Sequence, residues 1–238
     1  MSEQELPGPR GATVSLDGAV SIVTGASSGI GQAIAHELHA RGSRVVVSSR
    51  SAERVQAVAD QLDGLAVACD VGSYDQVRRL VATAVDWGGK LTVMVNNAGL
   101  GAFGLLHEID PGKAEEMIRT NVLGVIYGMR AAGEQLMRQS SGGGGIVNIS
   151  SIVGEFPDPG GGAYAATKAA VDLLSRTGYR ELRDHGIHVV NVKPALTDTA
   201  FSATARGGQR RMGGDPPEKV ARWVAEALES GSTNTGYR

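Results

Sequence analysis

Residues 19–40 constrain the fold more than any other stretch of this chain. A short apolar run rich in β-branched residues (AVSIVT, 19–24) leads at once into Gly25, Ala26, Ser27, Ser28, Gly29, Ile30 and Gly31, and then into a helical pattern over 32–40. Strand, glycine turn and helix in that order are the context a phosphate-binding loop requires. The glycines let backbone approach a pyrophosphate, and the free N–H groups of a helix start favour an anion. A tight strand-to-helix turn without a ligand would use the same glycines, so the motif takes its meaning from the rest of the chain.

The alternation repeats after residue 40. Residues 43–49 (SRVVVSS) read as a second buried strand, with Ser49 and Arg50 at its end. No acid stands there to bind a ribose 2′-hydroxyl, and Arg50 beside serines suits a 2′-phosphate; a solvated arginine at a helix start is the alternative. A helix over 52–62, a third strand over 65–69 and then Asp70 and Val71 come next. Ser73 and Gln76 are spaced as a capping box for a helix reaching about Trp87. Asp70 either orders that helix entrance or accepts a hydrogen bond from an adenine amino group. A fourth strand, 91–95, ends in Asn96, Asn97, Ala98 and Gly99, small and amide residues that suit backbone lying against a flat ligand.

Asp110 and Pro111 mark a helix entry, and the helix is expected to continue to about Arg138. Asn121 lies inside it in an apolar neighbourhood, either as a buried amide with a chemical task or as a structural one bonded to a carbonyl. Glycines 142–145 turn the chain into a fifth strand, 146–149, whose end delivers Ser150 and Ser151; a sixth strand, 187–192, leads to Pro194. Between these two strands, residues 163–183 are rich in helix formers. Tyr164 and Lys168, four apart there, fall on one face of a helix, one turn from each other. A phenol alone titrates near ~10, and an ammonium within a few ångströms favours the phenolate, so the pair reads as a tuned acid–base centre.

Strands alternating with helices predict an α/β fold: one Rossmann-like, doubly wound parallel sheet with helices on both faces. Ligands then sit beyond the carboxyl ends of the strands, where these candidate residues converge. No repeat or linker divides the chain; residues 1–15 are expected to be a flexible arm and 16–238 a single catalytic domain. A formal net charge of -2, with acids and bases interspersed, argues against nucleic-acid and membrane partners. The N-terminus lacks the pattern of a signal peptide or membrane span. One cysteine, Cys69, excludes an internal disulfide and a multi-cysteine metal site and fits a cytoplasmic setting.

Taken together, Thr24-Gly25-x-x-x-Gly29-Ile30-Gly31, Asp70-Val71, Asn96 through Gly99, Asn121, Ser151, Tyr164-x-x-x-Lys168 and the stretch from Pro194 to Thr199 resemble the short-chain dehydrogenase/reductase family, from about Leu16 onward. The resemblance implies an oxidoreductase that transfers a hydride between a nicotinamide cofactor and a carbonyl or secondary alcohol, and Arg50 with its neighbouring serines makes that cofactor NADP(H) in preference to NAD(H). The resemblance makes Tyr164 the general acid–base. Lys168 lowers its pKa and binds the nicotinamide ribose, Ser151, thirteen residues before Tyr164, orients the carbonyl, and Asn121 holds a relay water. Cofactor binding falls to Gly25, Ser27, Ser28, Gly29, Ile30, Gly31, Ser49, Arg50, Asp70, Val71, Asn97, Ala98, Gly99, Pro194, Thr197 and Thr199, with Tyr164 and Lys168; no metal is implied. It further implies a homodimer through the helices carrying Asn121 and Tyr164, whose alanines (Ala131, Ala132, Ala169, Ala170) would permit close approach.

The chain departs from the family pattern in two places. Ala195 follows Pro194 where glycine is usual, and the ending Thr235-Gly236-Tyr237-Arg238 falls where a seventh strand would run. That strand is therefore expected to be missing or truncated, which leaves tetramer formation open. A short polar segment over 200–215 is expected to form a substrate lid. Leu100, Phe103, Phe156, Leu196 and Phe201 are candidates for an apolar pocket or for ordinary core, and Glu155, Asp158 and the lid arginines for polar recognition. An epimerase, or a nucleotide-binding regulator without turnover, would use the same fold; the intact set of Asn121, Ser151, Tyr164 and Lys168 argues against the regulator.

Overall fold

The computed structural model describes residues 12–139, 143–197, 199 and 214–236. Strands β1 (Val20–Thr24), β2 (Arg44–Ser49), β3 (Leu65–Ala68), β4 (Val93–Asn96), β5 (Gly144–Ile149), β6 (Ile187–Lys193) and β7 (Asn234–Gly236) form one sheet in the order β3-β2-β1-β4-β5-β6-β7. Every neighbouring pair is parallel. The connecting helices are α1 (Gly29–Ala40), α2 (Ala52–Leu62), α3 (Tyr74–Gly88), α4 (Pro111–Ile118), α5 (Gly124–Arg138), α6 (Gly162–Leu182) and α7 (Pro217–Ser230). The strand order reverses between β1 and β4, which opens a crevice at their carboxyl ends.

Adjacent strand residues serve opposite layers, as a period of two requires. Val23, Val45, Val47, Val93, Val95, Val147 and Val190 face one layer with Ile34 and Leu38 of α1, Val55 and Val58 of α2, and Val220, Val224 and Leu228 of α7. Their neighbours Ile22, Val46, Met94, Ile146 and Val189 face the other, with Val77 and Leu80 of α3 and Ala131, Ala132 and Leu136 of α5. Burial on both faces explains why these strands read as continuous apolar runs.

A row of amides interrupts the apolar core near the carboxyl edge. Asn96, Asn148 and Asn191 occupy matched positions on β4, β5 and β6. Asn96 donates to Asn148 Oδ1 at 2.8 Å, Asn148 donates to Ser175 Oγ at 3.0 Å, and Asn191 donates to Asp172 Oδ1 at 2.7 Å. Ser175 and Asp172 belong to α6, so the row fixes that helix on the sheet. Lys193 adds to it, bridging Asp172 (2.9 Å) and Glu155 (2.7 Å).

Several expectations change. The seventh strand is present: β7 pairs with β6 over Asn191, Val192 and Lys193. It is three residues long and has no apolar run to announce it. The helix expected from residue 110 to 138 is interrupted by a π-helical turn, Arg119–Leu123, that contains Asn121. Ser73 does not close a capping box; Gln76 Oε1 instead accepts from the Asp70 N–H at 2.9 Å. Ala131 and Ala132 are buried inside the chain rather than offered on an exposed face, whereas Ala169 is exposed. Val14, within the expected arm, is buried, and its N–H donates to Leu228 O at 2.8 Å. Residues 1–11 of that arm, and 200–213 of the expected lid with Phe201, lie outside the described residues.

The amide row depends on Gly128 of α5, where an added Cβ would stand 1.9 Å from Asn96 Oδ1. Gly128→Ala should therefore destabilise the protein by about 1–3 kcal/mol, as overpacking does, with a lower urea midpoint at unchanged m-value. An unchanged midpoint would show that Asn96 can move aside freely.

Candidate active site

The crevice between β1 and β4 is held by one hydroxyl. Thr24 Oγ1 donates to Val95 O (3.0 Å) and accepts from the N–H groups of Asn97 (3.0 Å) and Ala98 (3.2 Å). Asn97 answers by donating its side-chain amide to Thr24 O at 2.9 Å. The glycine loop and the Asn97–Gly99 turn thus close against each other, so tightly that a Cβ at Gly31 would lie 2.4 Å from both Asn97 Nδ2 and Gly25 O. Gly25 and Gly29 also adopt positive φ (65° and 57°), which glycine tolerates. Ser28 caps α1 without a side-chain hydrogen bond, leaving first-turn N–H groups directed at the crevice.

Strand β5 and helix α6 build the other end. Ser150 is buried, and its hydroxyl donates to Val192 O at 3.2 Å. Ser151 caps the short 3₁₀ turn Ile152–Glu155, accepting from Val153 N at 3.3 Å and donating to Pro194 O at 3.3 Å. Lys168 is buried; its ammonium donates to Ile149 O at 2.9 Å and stands 5.7 Å from the centre of the Tyr164 ring. Burial lowers the Lys168 pKa to about 8. Burial also pushes the Tyr164 phenol above its ordinary range. Desolvation therefore outweighs the expected drop caused by Lys168, and Tyr164 is a protonated phenol at neutral pH.

Asn121 sits one layer behind. Its Oδ1 accepts from Leu100 N (2.7 Å), and its amide donates to Leu100 O (2.8 Å) and Thr167 Oγ1 (3.0 Å). It ties the β4 exit to α6. The π turn that presents it leaves no mark in the sequence beyond the asparagine itself.

A cavity of about 600 Å³ runs through these elements. It is lined by Gly25, Ser27, Ser28, Gly29, Ile30 and Gly31 of the loop, Ser49 and Arg50 after β2, Asp70 and Val71 after β3, and Asn97, Ala98 and Gly99 after β4. Ser151, Tyr164, Lys168, Pro194, Thr197 and Thr199 complete it. Every candidate catalytic or cofactor residue except Asn121 thus meets in one space. Arg50 also forms a 2.7 Å ion pair with Glu116 of α4, both side chains being more than half exposed (59% and 52%). Asp70 Oδ1 accepts from Gly72 N at 2.9 Å, which satisfies the helix-entrance reading without removing the residue from the cavity.

Sequence reasoning missed Arg54, Thr120 and Val153, which also line the cavity. Of the proposed pocket residues Leu100, Phe103, Leu196 and Asp158 line it, whereas Phe156 is exposed and Glu155 is engaged by Lys193. The cavity volume, the crevice position and the donors at the α1 start fit a dinucleotide.

Parallel sheet, glycine loop and Ser151, Tyr164 and Lys168 at one cavity define a nucleotide-binding α/β enzyme architecture. Residues 19–210 match the short chain dehydrogenase family, and the chain belongs to it. An uncharacterized oxidoreductase of Staphylococcus aureus (strain MW2) is 34% identical over 212 residues, 88% of this chain and 90% of the relative. A short chain dehydrogenase from Burkholderia cenocepacia J2315, solved in complex with NADP, is 33% identical with a TM-score of 0.83, covering 93% of this chain and 96% of the other. A short chain dehydrogenase/reductase from Burkholderia phymatum, solved with NAD, has a TM-score of 0.88 at 28% identity, covering 93% and 89%.

Lys168 titrates at about 8 in the fold against an ordinary value of 10.5. The folded state therefore binds this proton more weakly than the unfolded chain. Its charged form opposes folding fully below the folded pKa, and the penalty is relieved as pH rises toward the unfolded one. Relative to Lys168→Met, the wild type should gain roughly 2 kcal/mol in urea-unfolding free energy between about pH 7.5 and about pH 9.5. Parallel pH profiles of the two proteins would contradict the burial of this ammonium.

Proposed function

We propose that the protein is an NADP(H)-preferring oxidoreductase that interconverts a carbonyl and a secondary alcohol, with Tyr164 moving the proton. The observation that carries this reading is the shared cavity: a protonated Tyr164 and the Ser151 hydroxyl stand in the same space as the glycine loop. A nicotinamide cofactor held by that loop and the β4 exit would supply the hydride. Negative charge then develops on the carbonyl oxygen, and hydroxyl donors aimed at that oxygen stabilise the transition state more than the ground state. Tyr164, being a neutral phenol, has a proton to give to the carbonyl oxygen in reduction and must release it before accepting one in oxidation.

Lys168 keeps most of its charge at neutral pH and lies beside Gly99 and Asn121. A Cβ on Gly99 would stand 3.5 Å from Asn121 Oδ1 and 3.8 Å from Lys168 Nζ. A water joining Asn121 to Lys168 would return protons to Tyr164 through this point. The preference for NADP(H) rests on Arg50, since its exposed pair with Glu116 is of the weak kind that a 2′-phosphate displaces readily. Solved relatives have been captured with NADP and with NAD, so the preference belongs to Arg50 rather than to the fold. Exposed Ile118, Ile126 and Leu173 on the Asn121 and Tyr164 helices are read as the face of a homodimer. No described helix is long and apolar enough to cross a membrane, and a cytoplasmic location is part of the proposal.

NADPH consumption, followed at the nicotinamide band with a panel of ketones, tests the reading. Tyr164→Phe should lower turnover at least ~100-fold, the loss typical of one oxyanion donor. Arg50→Ala should weaken NADPH binding about tenfold and spare NADH. NADPH binding without consumption across a broad panel would favour the regulatory alternative.

A further inference from the structure

Asp158 lines the cavity on the same loop that leads into α6 and Tyr164. Its backbone carbonyl accepts from Gly161 N at 2.8 Å, which curls the loop. Its carboxylate folds over Gly161, where an added Cβ would lie 2.0 Å from Asp158 Oδ2. Among the described residues that carboxylate has no hydrogen-bond or ion-pair partner. The same loop is docked to the segment after β4 by a 2.8 Å bond from Gly104 N to Gly160 O. This brings Phe103 against Tyr164, with ring centres 5.6 Å apart.

Apart from the Ser151 hydroxyl, which bonds Val153 N and Pro194 O, the lining here includes the apolar Leu100, Phe103, Val153 and Leu196. The other charged lining residues divide by element. Arg50, Arg54 and Asp70 follow β2 and β3, at the nucleotide end, and Lys168 is turned to Ile149 O. Asp158 is thus a carboxylate at the Tyr164 end with no cation paired to it among the described residues. Binding a purely apolar or anionic substrate there would desolvate or repel it, whereas a cationic donor would pair with it.

We infer that Asp158 selects the substrate: an apolar carbonyl compound bearing a hydrogen-bond donor, with a protonated amine the best fit, and a carboxylate disfavoured. The inference rests on the carbonyl-reductase reading of the cavity. The alternative role for Asp158 is to favour the start of α6 electrostatically, without contact to any substrate.

The test compares three aryl ketones of one size carrying an aminomethyl, an ethyl or a carboxylate group. The wild type should show the highest kcat/KM for the ammonium ketone and the lowest for the keto acid. Asp158→Asn should lower the ammonium-to-ethyl selectivity ratio at least ~10-fold, mainly through KM, and raise the relative rate on the keto acid. Asp158→Glu should retain part of the preference. If Asp158→Asn lowers thermal stability while leaving all selectivity ratios unchanged, Asp158 is only a helix-start residue and the inference is overturned. Turnover of the ethyl ketone at least as fast as the ammonium ketone by the wild type would overturn it as well, with the oxidoreductase reading intact. Failure on these three ketones while a broad ketone panel still consumes NADPH would overturn the inference alone, and failure across the broad panel as well would remove both.

Discussion

The active end of this protein depends on how α6 is held to β5. Helix α6 carries Tyr164 and Lys168, and β5 ends just before Ser151, so the relative position of three reactive groups reduces to one packing contact. That contact is polar: Lys168 Nζ to Ile149 O, and Asn148 to Ser175, both buried. Apolar packing alone would let a helix slide on a smooth valine surface at little cost, because volume-conserving shifts keep most of the buried area. Buried donors that lose specific acceptors are far less tolerant of displacement. The amide row on β4, β5 and β6 extends this registration across the sheet and links it through Asn96 to the strand that ends in Asn97, Ala98 and Gly99.

The same burial sets the electrostatics. An ammonium near a phenol is expected to draw the phenol toward its anion, and the structure gives the opposite direction for Tyr164. The cation lies over the ring side of Tyr164 and spends a hydrogen bond on a backbone carbonyl; Lys168 is buried and Tyr164 partly buried at the cavity wall. Under those conditions the loss of hydration penalises either charge, so phenol goes up and lysine comes down. A phenol raised in this way holds its proton at neutral pH, and only a further favourable charge in the cavity would release it.

Much of this arrangement is legible because a parallel sheet buried on both faces writes itself into sequence. Apolar runs rich in valine mark six of the strands to within about two residues, and four of them, β1, β2, β4 and β5, end on or lead directly into glycine, serine or asparagine at the cavity wall. The features that are not legible lack such a pattern. Strand β7 is Asn-Thr-Gly, stabilised by the free edge of β6 and not by its own side chains, so composition could not announce it. The π turn around Asn121 keeps helical composition throughout, and the extra residue per turn is decided by the Leu100 and Thr167 bonds, which are distant in sequence. Gln76 has the right spacing for one local partner and takes another, Asp70 N, close by in the chain. Glu155 and Asp158 are equivalent as sequence; only Lys193 on β6 distinguishes the carboxylate used to brace the fold from the one that lines the cavity without such a partner among the described residues.

That last distinction separates the two ends of the site physically. The glycine-loop end is made of strand termini whose positions are fixed by ladder hydrogen bonds and by the Thr24 hydroxyl, with no room for a side chain at Gly31. The end beyond Tyr164 is made of connecting segments, 100–104 and 156–161, joined by the Gly104–Gly160 bond. Backbone there can accept different side chains without disturbing the sheet. The two ends nevertheless meet at Tyr164, where Phe103 packs on its ring and the 156–161 segment runs into α6. Substitution at Phe103, Asp158 or Leu196 leaves untouched the bonds from Lys168 to Ile149 O and along the amide row that register α6 on the sheet.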